Sequence, residues 1–236
     1  MENQEDKPQR IYSRIKMDNF HNKLIKGNGD FLIRFGTECN ELIFDNVHNI
    51  FSTGNNNFPS EMIYLFGMVQ NDVKRFLNIN PHINLPPIVN TIEYNNNYDD
   101  TKGTITATDL DHAYWRIALI KGYIREETYT RGLNPKAKAL RLATLSTLGK
   151  GKVFDKYVNG KFLEKIVKKE PNQNLKNAYL DIRYSCYYMM YELSKILKDD
   201  FDCWKTDCIY YRDTPENRRI VHTYFEERGL LFKQLI

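Results

Sequence analysis

Asn159-Gly160 constrains this chain more than any other dipeptide in it. The pair is flanked by Val153–Val158 and Lys161–Val167, two runs with strand character. Asn-Gly supplies the left-handed φ angles that a two-residue turn between antiparallel strands requires, so a hairpin is expected here. The segments on both sides of it carry helical periodicity. All-α and all-β architectures are thereby excluded, and an α+β arrangement follows.

Ahead of that hairpin, Ile11–Ile25 reads as a helix and Phe31–Phe35 with Glu41–Phe44 as a further hairpin. Ser60 reads as the N-cap of a helix whose apolar stripe (Ile63, Phe66, Val69, Val73, Phe76) ends at Leu77. Asparagine gathers in this part, 18 of 24 falling in the first 100 residues, and its runs at Asn55–Asn57 and Asn95–Asn97 favour turns. Pro81–Pro87 reads as extended and Tyr94–Gly103 as a polar loop, which sets the expected domain boundary after residue 103. Beyond it, Thr104–Thr108 alternates β-branched residues as a strand does, and leads into Asp109-Leu-Asp-His-Ala-Tyr-Trp and an apolar helix ending near Gly122. Pro135 opens a helix over Lys136–Leu148, and Leu175–Leu197 is the longest helix of the chain. Phe201–Lys205 and Cys208–Tyr211 read as strands around a tight turn, followed by a helix from Pro215 to about Arg228 and a last strand, Leu230–Leu235. The expected layout is a small α+β region of unknown role over residues 1–103, then an antiparallel sheet with helices packed on one face over residues 104–236.

Charge divides the chain near the same place. Residues 1–100 carry 9 Lys/Arg against 13 Asp/Glu, a net of −4, whereas residues 101–236 carry 25 against 17, a net of +8. Such a basic excess suits an anionic partner, nucleic acid or nucleotide, and suits a solvated basic face equally well. Cys39, Cys186, Cys203 and Cys208 form no CxxC pair and have no histidine at zinc spacing, which excludes a zinc module and a disulfide framework. No run approaches the roughly 18 to 20 apolar residues of a membrane span. Met1–Arg10 is polar, so a soluble, cytoplasmic protein without a membrane partner is expected.

Two carboxylates stand where a strand hands over to a turn. Asp109 follows the strand from Thr104, and Asp207 lies in the turn between Phe201–Lys205 and Cys208–Tyr211. If those strands are neighbours, the carboxylates converge and could hold two Mg²⁺ (or Mn²⁺) ions, which activate a 3′-hydroxyl and clamp a triphosphate during in-line displacement. A second reading makes Asp109 a helix cap and Asp207 a turn residue. Around Asn159-Gly160, lysines including Lys150, Lys152, Lys156 and Lys161 alternate with Phe154, Tyr157 and Phe162. That mix suits a nucleic-acid-tracking ribbon with stacking aromatics, and suits a plain hairpin with a core face and a lysine face.

The residues around the carboxylates add a family resemblance. Asp109-Leu-Asp-His-Ala-Tyr114-Trp resembles motif A of family B DNA polymerases, Asp109 falling on the metal-binding Asp and Tyr114 on the tyrosine under the incoming sugar. Arg141-Leu-Ala-Thr-Leu-Ser-Thr-Leu-Gly149 is similar in spacing to motif B, and Trp204-Lys-Thr-Asp207-Cys-Ile to motif C, with Asp207 on its second Asp. Gly229–Lys233 resembles the palm strand after motif C. The chain departs from the family where Leu145 and Leu148 stand for Asn and Tyr in motif B and Lys205 for the first Asp of motif C. Only 32 positions separate Asp109 from Arg141 and 29 follow Asp207, which leaves little for fingers and thumb.

The resemblance covers about residues 104–236 and implies a minimal polymerase palm performing nucleotidyl transfer on nucleic acid. Asp109 and Asp207 would be catalytic and metal-binding, Tyr114, Arg141, Lys138 and Lys205 would bind nucleotide, and Lys150, Lys152, Lys156 and Lys161 would bind nucleic acid. The alternative is a catalytically inactive palm-derived protein for nucleic-acid binding, virion or replisome assembly. Either would need a protein partner or self-association to grip a template. The wealth of Asn, Lys, Ile and Tyr fits an AT-rich genome, a phage or mobile element, and so a host-cell cytoplasm.

Overall fold

The computed structural model describes residues 9–13, 17–35, 39–45, 47–52, 59–99, 101, 103–134 and 138–235. The chain is α+β and divides into two units, residues 1–64 with 149–172 and residues 65–148 with 173–236. Among the described residues no helix is long and apolar enough to cross a membrane.

The first unit is a six-stranded sheet of order β1-β4-β3-β2-β7-β8, formed by β1 (Gln9–Ser13), β2 (Phe31–Arg34), β3 (Cys39–Phe44), β4 (Val47–Ser52), β7 (Lys152–Val158) and β8 (Lys161–Lys169), with α1 at Met17–Lys26. The Asn159-Gly160 turn forms as expected, with φ of 50° and 72°. Its β7 pairs with β2, Phe31 opposite Tyr157, and the two rings stack 4.6 Å apart. Leu24 and Ile25 of α1 pack on the Phe31, Ile33, Leu42 and Phe51 core.

Cross-strand ions hold this sheet together where apolar contacts stop. Glu41 on β3 is 1% exposed and accepts from Arg34 Nη1 at 2.5 Å and Lys152 Nζ at 2.8 Å, with His48 Nε2 2.9 Å away. Burial alone would raise the Glu41 carboxyl, but the His48, Lys152 and Arg34 contacts outweigh it and hold it down at about 2.

The pairing of β7 with β2 also moves the boundary expected after residue 103. The hairpin of residues 149–172 belongs to the first unit although it lies late in the chain, and residues 65–103 belong to the second. In that second unit β5 (Ile92–Tyr94), a strand without enough length to show alternation, pairs with β9. The helix expected over Ile11–Ile25 is likewise a strand and a helix, because Gln9–Ser13 pairs in parallel with β4 and α1 starts only at Met17.

The second unit is a five-stranded sheet of order β11-β6-β10-β9-β5, antiparallel throughout. Its strands are β6 (Ile105–Leu110), β9 (Phe201–Lys205), β10 (Cys208–Arg212) and β11 (Phe232–Leu235) besides β5. Its helices are α2 (Pro59–Ile79, from Leu65 on), α3 (Ala113–Ile120), α4 (Glu126–Gly132), α5 (Lys138–Ser146), α6 (Gln173–Leu197) and α7 (Pro215–Glu227). β6, then helices, the β9–β10 hairpin, α7 and β11 form a split β-α-β, in which β10 lies between β6 and β9.

Register places Gln234, Thr108, Ile209 and Trp204 in one row on one face of this sheet. Helices cover that face: Tyr191 of α6 meets Trp204 edge-on with centroids 6.5 Å apart, and His222 Nε2 of α7 lies 2.8 Å from Gln234 Oε1. The expected sheet with helices on one face is present.

Candidate active site

On the opposite face the same register gives the row Lys233, Asp109, Cys208 and Lys205. Asp109 is the penultimate residue of β6, and Cys208, which opens β10, is its partner. Asp207 immediately precedes Cys208, in a turn where Thr206 takes a φ of 59°. The Asp207 carbonyl accepts from Leu110 N–H at 3.0 Å, which fixes the turn against the end of β6. Both carboxylates therefore stand at the same end of two neighbouring strands, as the alternation of Thr104–Thr108 and the tight turn after Lys205 imply.

The Asp207 carboxyl is pushed up, first by burial and then by the negative charge of Asp109, and Lys233 acts against both. Lys233 Nζ lies 3.0 Å from Asp109 Oδ2 and 3.9 Å from Asp111 Oδ1. The backbone turns from β6 into α3 at His112, whose φ of 56° is sparsely populated for a residue with a Cβ.

The other residues expected at the site fall into two groups. Tyr114 on α3 is held: its hydroxyl donates to Tyr187 Oη at 2.9 Å, and Arg183 Nε donates to the same oxygen at 2.9 Å. Burial raises the Tyr114 hydroxyl, the bond to Tyr187 adds to this, and Asp207 contributes through its charge. Lys205 is exposed beside Asp109's row, its Nζ 5.3 Å from the centroid of Tyr210 and 5.9 Å from that of Tyr94. Lys138 lies in α5, and its side chain is outside the described residues.

Arg141 does not present its charge to this face. It is 5% exposed, donates through Nη1 to the Gly132 carbonyl at 2.5 Å, and has Nη2 3.0 Å from His112 Nδ1. The guanidinium joins α5 to the end of α4 and to the strained turn after β6. The guanidinium expected to neutralise phosphate is thus buried and bonded at two of its nitrogens, to Gly132 and His112.

Lys150, Lys152, Lys156 and Lys161 all belong to the first unit. Lys152 is bound to Glu41, and Lys156 Nζ to Glu164 Oε1 at 3.1 Å, whereas Lys150 and Lys161 are exposed.

Lys233, Tyr187 and Arg183 were not among the residues expected at the site, and only the lysine that ends the palm-like run Gly229–Lys233 pointed to the first of them. Among the described residues no group of three or more His, Cys, Asp or Glu gathers as a metal site. Two aspartate carboxylates are nevertheless oxygen donors of the kind Mg²⁺ takes when substrate phosphates and water complete its shell. No protein-family model, curated protein or solved structure matches this chain.

Proposed function

We propose that the second unit is a minimal palm-like nucleotidyltransferase, adding nucleotides to a nucleic-acid strand at Asp109 and Asp207. The observation that carries this reading is the placement of Asp109 at the end of β6 next to the turn that brings Asp207 to the start of β10, with Asp207 raised by burial and then by Asp109's charge. Paired carboxylates whose own repulsion calls for a cation are what a divalent-metal site requires. Mg²⁺ bound there would supply charge neutralisation to the phosphates and acidify the attacking hydroxyl.

The chain's own groups do the rest. Tyr114, fixed by Tyr187, offers a ring on which the sugar rests, and its immobility suits discrimination at the 2′-position. Lys205 and Lys233 lie at either side of the Asp109–Cys208 pair and face the same way. They are placed to take phosphate oxygens of a nucleotide beside Asp109. Fold analogy alone would not carry this, since split β-α-β sheets host many functions.

A second reading is favoured by a specific observation. Arg141 is turned inward and Lys233 already answers Asp109, as in a palm-derived module that binds nucleic acid for virion or replisome assembly without chemistry. Incorporation of a labelled deoxynucleotide into a primed template with Mg²⁺ separates the two. The first reading expects incorporation that Asp109→Asn and Asp207→Asn each reduce by at least about a hundredfold while circular dichroism stays unchanged. Undiminished incorporation by either variant sinks the site assignment. Metal-independent binding of nucleic acid by a protein that incorporates nothing establishes the second reading.

A further inference from the structure

We propose that β8 is a docking edge for an extended, acidic segment of a partner protein, which adds to the six-stranded sheet as a further strand. β8 is the terminal strand of that sheet, with β7 on one side and no strand on the other among the described residues. Between the bulges at Leu163 and Lys168, the regular stretch Glu164–Val167 offers N–H and C=O groups to a chain that can lie along it.

The side chains of β8 show the same openness. Seven of its nine residues are exposed in a pattern without alternation, unlike a strand with one covered face. Leu163 and Val167 are 56% and 49% exposed, and Val153, opposite Val167 on β7, is 46% exposed. Val153 and Val167, partners across β7 and β8, form an exposed apolar pair on one face of the hairpin, while Leu163 sits at the bulge between Phe162 and Glu164.

Charge selects the occupant. β8 carries Lys161, Lys165, Lys168 and Lys169 against Glu164, four positive and one negative, a net of +3. Glu164 is itself engaged by Lys156, and Lys165 Nζ lies 4.0 Å from Asp155 Oδ1 on β7. A second copy of this strand would set +3 against +3, and lysines on edge strands are a known block to such self-pairing. The same lysines attract an acidic strand, whose apolar side chains can rest on Val153 and Val167. Nucleic acid fits less well, because Lys152 and Lys156 are held in ion pairs and the Phe162 ring packs edge-on to Tyr157, centroids 5.9 Å apart.

The test uses the full chain and three fluorescent probes: a blocked peptide alternating Glu and Val, its counterpart alternating Lys and Val, and a single-stranded oligodeoxynucleotide. Anisotropy is expected to show binding of the acidic peptide alone, weakened by salt. Hydrogen exchange is expected to slow across residues 161–169 when it binds, as it must if backbone bonds form. The triple variant Lys161→Glu, Lys165→Glu, Lys168→Glu is expected to lose at least about tenfold in affinity for the acidic peptide and to gain binding of the basic one. Equal binding of both peptides, unchanged exchange in β8, tighter binding of the oligonucleotide at this hairpin, or concentration-dependent self-association through β8 each overturn the proposal.

Discussion

Lys233 and Asp109 oppose each other on neighbouring strands, Nζ 3.0 Å from Oδ2. The lysine is half exposed, so as an ion pair it adds little to stability. Its importance is its place in front of two carboxylates that repel one another, where it lowers the cost of keeping both ionised.

Removing that cation should therefore raise Asp207 further. In metal-free Lys233→Met, a carbon-detected NMR titration of the Asp207 carboxyl is expected to show a higher midpoint than in the parent. The sign follows from linkage: a carboxyl raised in the folded state penalises the fold above its pKa and not below the unfolded value. The variant should be less stable than the parent at pH 7, with the gap closing as pH falls through the folded-state midpoint. An unchanged midpoint would separate Lys233 from the pair.

Glu41 tests the opposite sign. Its carboxyl is held at about 2, so it stabilises the first unit above the unfolded value of about 4.3 and loses that contribution as pH falls toward 2. Glu41→Gln removes the charge-assisted bonds to Arg34 and Lys152, whose own charges stay within reach of water, and is expected to cost about 1 to 3 kcal/mol at pH 7. Urea melts at pH 7 and pH 3 should show the difference shrinking at the lower pH. A constant difference would mean that packing, not charge, makes Glu41 important.

Gly132 is a packing prediction. A Cβ there would fall inside contact distance of the Trp115 indole, which is 2% exposed and donates through Nε1 to the Tyr129 carbonyl at 3.0 Å. Gly132→Ala should therefore lower stability by about 1 to 3 kcal/mol, although Ala is the better helix former. Thermal melts should show a Tm lower by several degrees; an unchanged or higher Tm would mean the indole can retreat.

How much of this was legible beforehand follows from which forces are local. The Asn159-Gly160 turn, the β9–β10 hairpin and the Thr104–Thr108 strand were readable because turn chemistry and alternation act over a few residues. The carboxylate pair was readable for the same reason, both members lying at strand ends. Which sheet the Asn-Gly hairpin would join was not, because Phe31 stacking on Tyr157 is a contact between residues more than a hundred positions apart. The inward partners of Arg141, Gly132 and His112, were hidden on the same ground, since they are set by how α3, α4 and α5 pack. Lys233 was overlooked because only the pairing of β11 with β6 brings it to Asp109.

Asp109 and Asp207 as a cation site that serves a nucleotide can be put to isothermal titration of the full chain with a deoxynucleoside triphosphate, in Mn²⁺ and in chelator. Nucleotide binding is expected to require the metal and to disappear in the Asp109→Asn, Asp207→Asn double variant. Equal binding in chelator, or full binding by the double variant, would mean that the two carboxylates hold no such site.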